Sequence, residues 1–284
     1  MNIAPTSHVA ELPNGLRLNY LTYAAAAEPF EDAADVAKRD GAVLLLHGGA
    51  GPRSVAGFAA ALSQYSVVIV PTHPGFDGTP RPDWADSVAD LASGYLDLLD
   101  ALDLTDVLVI GSSVGGWIAA EMGLRDTHGR LRALTLIDAA GIEGAPGREV
   151  ADVSALNPAA LSELSFHRPE LRPDFGAFSE QQRAAMIANQ RTLAVYAGDP
   201  YMHDPKLGRR LHRLALPVLV VWGEHDGVTP LEYGREFARR IPGARFVPVA
   251  GAAHFPFAEN PEAVFAALGE FLGAAAAGAA GQSA

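Results

Sequence analysis

Short apolar runs, broken only by Thr135, punctuate the chain at residues 42–46, 67–70, 107–110, 134–137 and 218–221. Runs this brief, bounded by turn-forming sequence, suit strands buried on both faces, as in a parallel sheet covered by helices. Between them lie stretches of helical character around residues 58–63, 87–102, 114–124 and 231–240. Strand and helix in alternation predict an α/β domain with a mostly parallel central sheet flanked by helices. Residues 16–23 alternate apolar and polar and read as an edge strand. Arg245–Val249 reads as the final strand, followed by a last helix that starts at Asn260-Pro261. Residues 24–40 are rich in alanine and acid without an apolar period, and read as a surface loop.

The alternation stops between Gly141 and about Leu216. Prolines are frequent there, no strand-like run occurs, and two helix starts are legible. Asn157 before Pro158 has the form of an N-cap with proline at the first helical position. Ser179 and Gln182 form a capping-box pattern ahead of the apolar residues 184–187. A helical insertion between two sheet strands predicts a cap. The expected division is therefore a core of residues 1–140 and 213–272, a helical cap over 141–212, and a disordered Gly/Ala-rich tail over 273–284.

At 284 residues and 49% hydrophobic content, the chain is long enough for one large domain with a sizeable core. Its 33 acidic against 21 basic residues give a formal net charge of −12. With no long Lys/Arg run, neither a nucleic acid nor an anionic membrane surface is an expected partner. Cysteine is absent, which excludes disulfides, thiolate metal sites and cysteine nucleophiles together. The first residues carry neither a basic region nor an apolar signal segment, and no apolar stretch approaches membrane-spanning length. These features lead to the expectation of a cytoplasmic protein.

Residues 111–115 read Gly-Ser-Ser-Val-Gly, a Gly-x-Ser-x-Gly pattern that follows the apolar run 107–110 and precedes a helical stretch. With 29 glycines in the chain, the pattern alone arises readily by chance, and its flanks give it weight. A serine on a tight strand-to-helix turn lifts its hydroxyl clear of the sheet. The helix N-terminus beneath it offers N–H groups and positive dipole to a developing oxyanion. Other strand ends also carry reactive groups, which is where ligands gather in open α/β sheets. His47-Gly48-Gly49 follows the run ending at Leu46, and its glycines let backbone amides approach an oxyanion. Gly49 is the expected donor there, paired with the Val114 N–H. Asp226 lies just past the run 218–221, where a carboxylate can orient an imidazole. His254, the only histidine after Asp226, follows the last strand and can serve as the base that a serine hydroxyl needs. Asp138, at the end of the run 134–137, is the alternative acid. His225 is expected to turn outward, His47 to brace its loop, and His203-Asp204 to sit in a turn of the cap. No spacing typical of a metal site is present.

These pieces, together with Pro74-Gly75-Phe76-Asp77-Gly78, resemble an α/β-hydrolase over most of residues 16–272. The resemblance implies Ser113 as nucleophile, Asp226 as acid, His254 as base, Gly49 and Val114 as oxyanion donors, and no cofactor. It further implies a small-molecule acyl substrate, most simply a carboxylic ester. C–C bond hydrolysis of ring-cleavage type, acyl transfer, and a non-catalytic ligand-binding protein of the same fold stand as alternatives. Serine at the elbow differs from the aspartate of haloalkane dehalogenases and epoxide hydrolases. The order Gly49-Ala50-Gly51-Pro52 departs from the His-Gly-Gly-Pro-Gly of prolyl aminopeptidases. Phe255 stands where ring-fission hydrolases commonly carry tryptophan. Phe166, Phe175, Phe178, Met186 and Tyr196 are the expected apolar lining from the cap.

Overall fold

The computed structural model describes residues 4–24, 41–154 and 156–282. Its centre is an 8-stranded sheet in the order β1-β2-β4-β3-β5-β6-β7-β8. The strands are β1 (Thr6–Glu11), β2 (Arg17–Tyr23), β3 (Val43–Leu46), β4 (Val68–Pro71), β5 (Val107–Ser112), β6 (Leu131–Ile137), β7 (Val218–Gly223) and β8 (Arg245–Val249). From β4 to β8 all neighbours are parallel, whereas β2 runs antiparallel to both β1 and β4.

Every residue of β3, β4, β5 and β7 is buried, because helices cover both faces. Leu44 and Leu46 of β3 point into one apolar layer with α2 (Val88–Ala101), α3 (Val114–Arg125) and α7 (Leu231–Arg239). Val43 and Leu45 point into the other, with α1 (Ala56–Leu62) and α9 (Pro261–Gln282). This explains why the central strands read as continuous apolar runs instead of alternating ones.

The expected α/β class and the parallel order are present, with one local correction. Residues 16–23 do not form an edge: β2 is an interior strand, because β1 pairs along it from Thr6↔Thr22 to Glu11↔Arg17. No residue of β1 is buried, so it carries no apolar period to announce it. At the chain end, α9 continues through the Gly/Ala-rich residues 273–282. Alanine has the highest helix propensity. Here it extends a helix already nucleated by the buried Val264, Leu268 and Phe271. The loop expected over 24–40 lies, apart from Ala24, outside the described residues.

Between β6 and β7 the chain forms α4 (Pro158–Ser165), α5 (Glu180–Ala197) and the short α6 (Leu207–Arg210). Both helix starts are capped as their sequences suggest. Asn157 Oδ1 accepts from the Ala160 N–H at 2.9 Å. Ser179 and Gln182 complete a reciprocal capping box, with bonds of 3.2 and 2.8 Å. One face of α5, with Asn189, Thr192 and Tyr196, is bonded to the loop after β4. Asn189 exchanges two hydrogen bonds with Asp77, its Oδ1 accepting from the backbone N–H at 2.8 Å and its Nδ2 donating to the carboxylate at 2.9 Å. The Thr192 hydroxyl donates to Gly75 O and the Tyr196 hydroxyl to Pro74 O, both at 2.9 Å. The insertion is thus fastened over the carboxyl ends of the parallel strands. Among the described residues no helix is long and apolar enough to cross a membrane.

Candidate active site

Strand register brings the candidate residues together. Leu46 pairs with Gly111, Ser112 with Ile137, Ile137 with Val221, and Gly223 with Val249. The loops that carry Gly49, Ser113, Asp138, Asp226 and His254 therefore leave the sheet along one edge.

Ser113 occupies the turn from β5 into α3 with φ 57° and ψ −121°. Such a backbone is unfavourable for a residue with a side chain and persists only where its surroundings enforce it. The Ser113 N–H donates to Ile137 O at 2.9 Å, and its own carbonyl accepts from Gly116 N at 2.9 Å and Ala140 N at 3.2 Å. The flanking glycines are demanded by close approach. A Cβ at Gly111 would stand 2.1 Å from Gly115 O, and one at Gly115 would stand 2.4 Å from Leu46 O. Val114 is the first residue of α3, so its N–H has no intrahelical acceptor.

Gly48 lies beside the elbow: a Cβ there would meet the Ser113 Cβ at 3.0 Å. The next residue, Gly49, is roofed by α5, since a Cβ on it would stand 2.5 Å from Leu193 Cδ2. His47 braces this loop from beneath. Its Nδ1–H donates to Gly48 O at 2.7 Å, and its Nε2 accepts from the His73 N–H at 3.1 Å. His73 in turn donates from Nε2 to His47 O at 2.8 Å and accepts from the Tyr95 hydroxyl. Both rings are fully buried and use one donor and one acceptor nitrogen, the pattern of neutral imidazoles. Burial pushes His47 down to about 4, and it holds His73 well below the ordinary histidine range.

Asp226 sits in the turn after β7, which is closed by the Trp222 Nε1–H donating to Thr229 O at 2.8 Å. Its Oδ1 accepts from Val228 N at 2.7 Å and Thr229 N at 3.0 Å. Its Oδ2 accepts from the Thr229 hydroxyl at 2.6 Å and from His254 Nδ1–H at 2.8 Å. Every lone pair is directed to a donor, and the imidazole is left with Nε2 as its free basic nitrogen. Both Asp226 and His254 are buried; Ser113 is 8% exposed.

Asp138 is close by but placed differently. Its Oδ1 accepts from the Gly223 N–H at 2.9 Å, while its buried Oδ2 has no hydrogen-bond partner among the described residues. Burial, and then the negative charge of Asp226, raise its carboxyl well above the ordinary range. Asp138, Asp226 and His254 offer ligand atoms within 4.8 Å of one another. A metal ion would need those atoms free of protons. Instead His254 Nδ1 is bonded to Asp226 Oδ2 and Asp138 Oδ1 to the Gly223 N–H, so the set fits hydrogen bonding better than metal ligation.

The remaining expected residues scatter. His225 is exposed and stacks on His167, with centroids 3.8 Å apart. His203 Nδ1 lies 3.0 Å from Tyr201 O, and Asp204 pairs with Arg210 at 2.6 Å. Phe166 stacks on Phe255 at 5.0 Å, beside the His254 ring. Phe175 and Phe178 pack edge to face on each other, and Met186 is half-buried. Tyr196 is a docking residue more than a lining one, buried with its hydroxyl bound to Pro74 O. Two contributors had no sequence signal of their own. Thr229 completes the shell of Asp226. Glu259, a buried acid in the otherwise apolar stretch after His254, accepts from Ala253 N at 2.6 Å.

Comparison with known proteins agrees with this architecture. The profile described as "Alpha/beta hydrolase family" matches residues 43–268. A 2-hydroxymuconate semialdehyde hydrolase of Pseudomonas putida is 29% identical over 81% of this chain and 86% of its own length. A pimeloyl-[acyl-carrier protein] methyl ester esterase of Chromobacterium violaceum is 28% identical over 80% of this chain and 90% of its own. Among solved structures, a thermophilic esterase from Thermogutta terrifontis superposes with a TM-score of 0.69 at 24% identity, covering 95% of this chain and 99% of its own.

Proposed function

The chain belongs to the alpha/beta hydrolase family, and we propose that it is a serine hydrolase that cleaves a small or medium carboxylic ester through an acyl-enzyme on Ser113. The observation that carries this reading is the 2.8 Å hydrogen bond between Asp226 Oδ2 and His254 Nδ1, at the same sheet edge as a serine on a strained elbow. A serine hydroxyl is too weak an acid to ionise near neutral pH, so it needs an adjacent base with a fixed tautomer.

In this mechanism Ser113 Oγ attacks the ester carbonyl while His254 Nε2 takes its proton. The Asp226 carboxylate steadies the imidazolium through Nδ1–H. The oxyanion is received by the N–H groups of Gly49 and Val114, one on the loop braced by His47 and the other at the start of α3. Collapse expels the alcohol, which takes the proton back from His254. Water then enters and gives its proton to the same nitrogen as it attacks the acyl-enzyme, and collapse releases the acid while His254 returns that proton to Ser113 Oγ. The insertion over residues 141–212 acts as a cap, and α5 lays Leu193 across Gly49, close to where the acyl group would sit.

A second reading, C–C bond hydrolysis on the same residues, is favoured by the 29% identity to a semialdehyde hydrolase. Phe255 after His254 weighs against it. A panel of p-nitrophenyl esters of graded acyl length, run beside vinylogous diketones, separates the two. The ester reading expects turnover of esters that disappears in Ser113→Ala. Turnover of the diketones alone would replace it with the second reading.

A further inference from the structure

Glu259 has no part in the reaction just described, yet it is a buried carboxylate only 3% exposed. It lies in the short helix α8 (Pro256–Glu259) directly after the base loop. Its two oxygens are divided between different parts of the molecule. Oε2 accepts from the N–H of Ala253, the residue before His254, at 2.6 Å. Oε1 accepts from the N–H of Arg168, in the insertion, at 2.7 Å. The Arg168 guanidinium returns the contact by donating to Glu259 O at 3.1 Å.

The same part of the insertion grips both halves of the acid–base pair. At the end of α4, Ser165 O accepts from the His254 N–H at 3.0 Å, and Leu164 O accepts from the Gly227 N–H, next to Asp226, at 3.0 Å. Phe166 stacks on Phe255. Residues 164–168 and Glu259 therefore surround the backbone on which the imidazole hangs.

We propose that Glu259 is a positioning residue, a carboxylate clasp that locks the cap to the base loop and sets His254 against Asp226 and Ser113. Two N–H groups converge on one side chain, so the site needs two acceptors. A carboxylate supplies both, whereas an amide of the same shape supplies one and turns its NH2 against the other donor. A buried N–H left facing a donor must shift or go unpaired, and the nearest backbone free to move is Ala253-His254. A displacement of even about an ångström near the reacting groups can lower a rate up to about a hundred-fold.

The inference rests on the serine-hydrolase reading, and its test keeps the two apart. Wild-type protein, Glu259→Gln and Glu259→Asp are titrated with a fluorophosphonate probe, and kcat and KM for a p-nitrophenyl ester are expressed per titrated site. If the wild type takes no label on Ser113, the underlying reading fails, and the clasp falls with it. With labelling intact, Glu259→Gln is expected to label to full stoichiometry but slowly, with kcat per site reduced roughly ten- to hundred-fold and KM little changed. A merely structural role would reduce the number of titratable sites and leave kcat per site at the wild-type value, which would overturn the proposal. Should Glu259→Gln fail to fold, Glu259→Asp carries the test. It keeps the charge but is one methylene too short to span both amides, and it is expected to show the same loss of kcat per site. An unchanged kcat per site in that variant would overturn the proposal equally.

Discussion

Asp226 and Asp138 stand on adjacent strand ends, yet only Asp226 reaches His254, with Oδ2 2.8 Å from Nδ1. Asp138 spends one oxygen on the Gly223 N–H, and burial, then the charge of Asp226, raise its carboxyl well above the ordinary range. Two neighbouring carboxyls are thus separated by what surrounds them, one bonded to the imidazole and the other buried beside a like charge.

That separation predicts opposite outcomes for isosteric substitutions. Asp226→Asn should lower kcat by about 10⁴, the scale seen when a triad acid is replaced by its amide. Asp138→Asn should leave kcat within a few-fold, since an amide retains an acceptor for the Gly223 N–H and the residue makes no hydrogen bond to His254. Steady-state kinetics on the two variants decides the matter, and a crippled Asp138→Asn with an active Asp226→Asn would reverse the assignment.

The same substitution carries a stability signature. An unfolded aspartate loses its proton near 3.8, whereas the folded Asp138 holds it to higher pH. In that interval the folded state binds more protons, so this residue lowers wild-type stability as pH rises. Asp138→Asn removes the loss. Urea unfolding at pH 5 and pH 8 should show the variant gaining on the wild type at the higher pH. A gap that stays constant or moves the other way contradicts a raised Asp138.

His47 works with the opposite sign. Its ordinary value of 6.5 is pushed down to about 4 by burial, so between those values the unfolded chain binds a proton that the folded one refuses. The stability associated with neutral His47 is present above about 6.5 and is lost as pH falls toward 4, an effect of order 3 kcal/mol. Unfolding midpoints across that window should fall steeply with acidity in the wild type and less steeply in His47→Gln. Equal slopes would exclude His47 as the titrating group.

The elbow glycines make a steric prediction. A Cβ at Gly115 would press on Leu46 O at 2.4 Å and His47 O at 2.7 Å, both backbone atoms at the end of β3 that have little freedom to yield. Gly115→Ala should cost about 1–3 kcal/mol or more and displace the loop that carries Gly49. Thermal unfolding and kcat are the readouts, with activity falling further than stability. A fully active, equally stable Gly115→Ala would show that the turn is looser than described.

Much of this was legible because the controlling physics is local. The runs in β3, β5 and β7 announce burial on both faces, and Asn157 and Ser179 cap their helices with their own side chains. Ser113 was readable because a tight turn tolerates few residues beside it. What escaped depends on partners distant in sequence. β1 is polar because it lies on an exposed edge, and β2 became interior only through pairing with it. Glu259 reads as one more acid until Arg168, 91 positions away, closes over it. Tyr196 has the apolar body of a pocket residue, and only its bond to Pro74 O marks it as a dock.

The central claim is that Ser113 is a nucleophile served by His254. Its most direct measurement is stoichiometric labelling of the folded protein by a fluorophosphonate, read by intact mass and peptide mapping. One adduct per chain on Ser113 is predicted, with none in Ser113→Ala and severely slowed labelling in His254→Ala. Well-folded wild-type protein that takes no adduct, or takes it on another residue, would contradict the account.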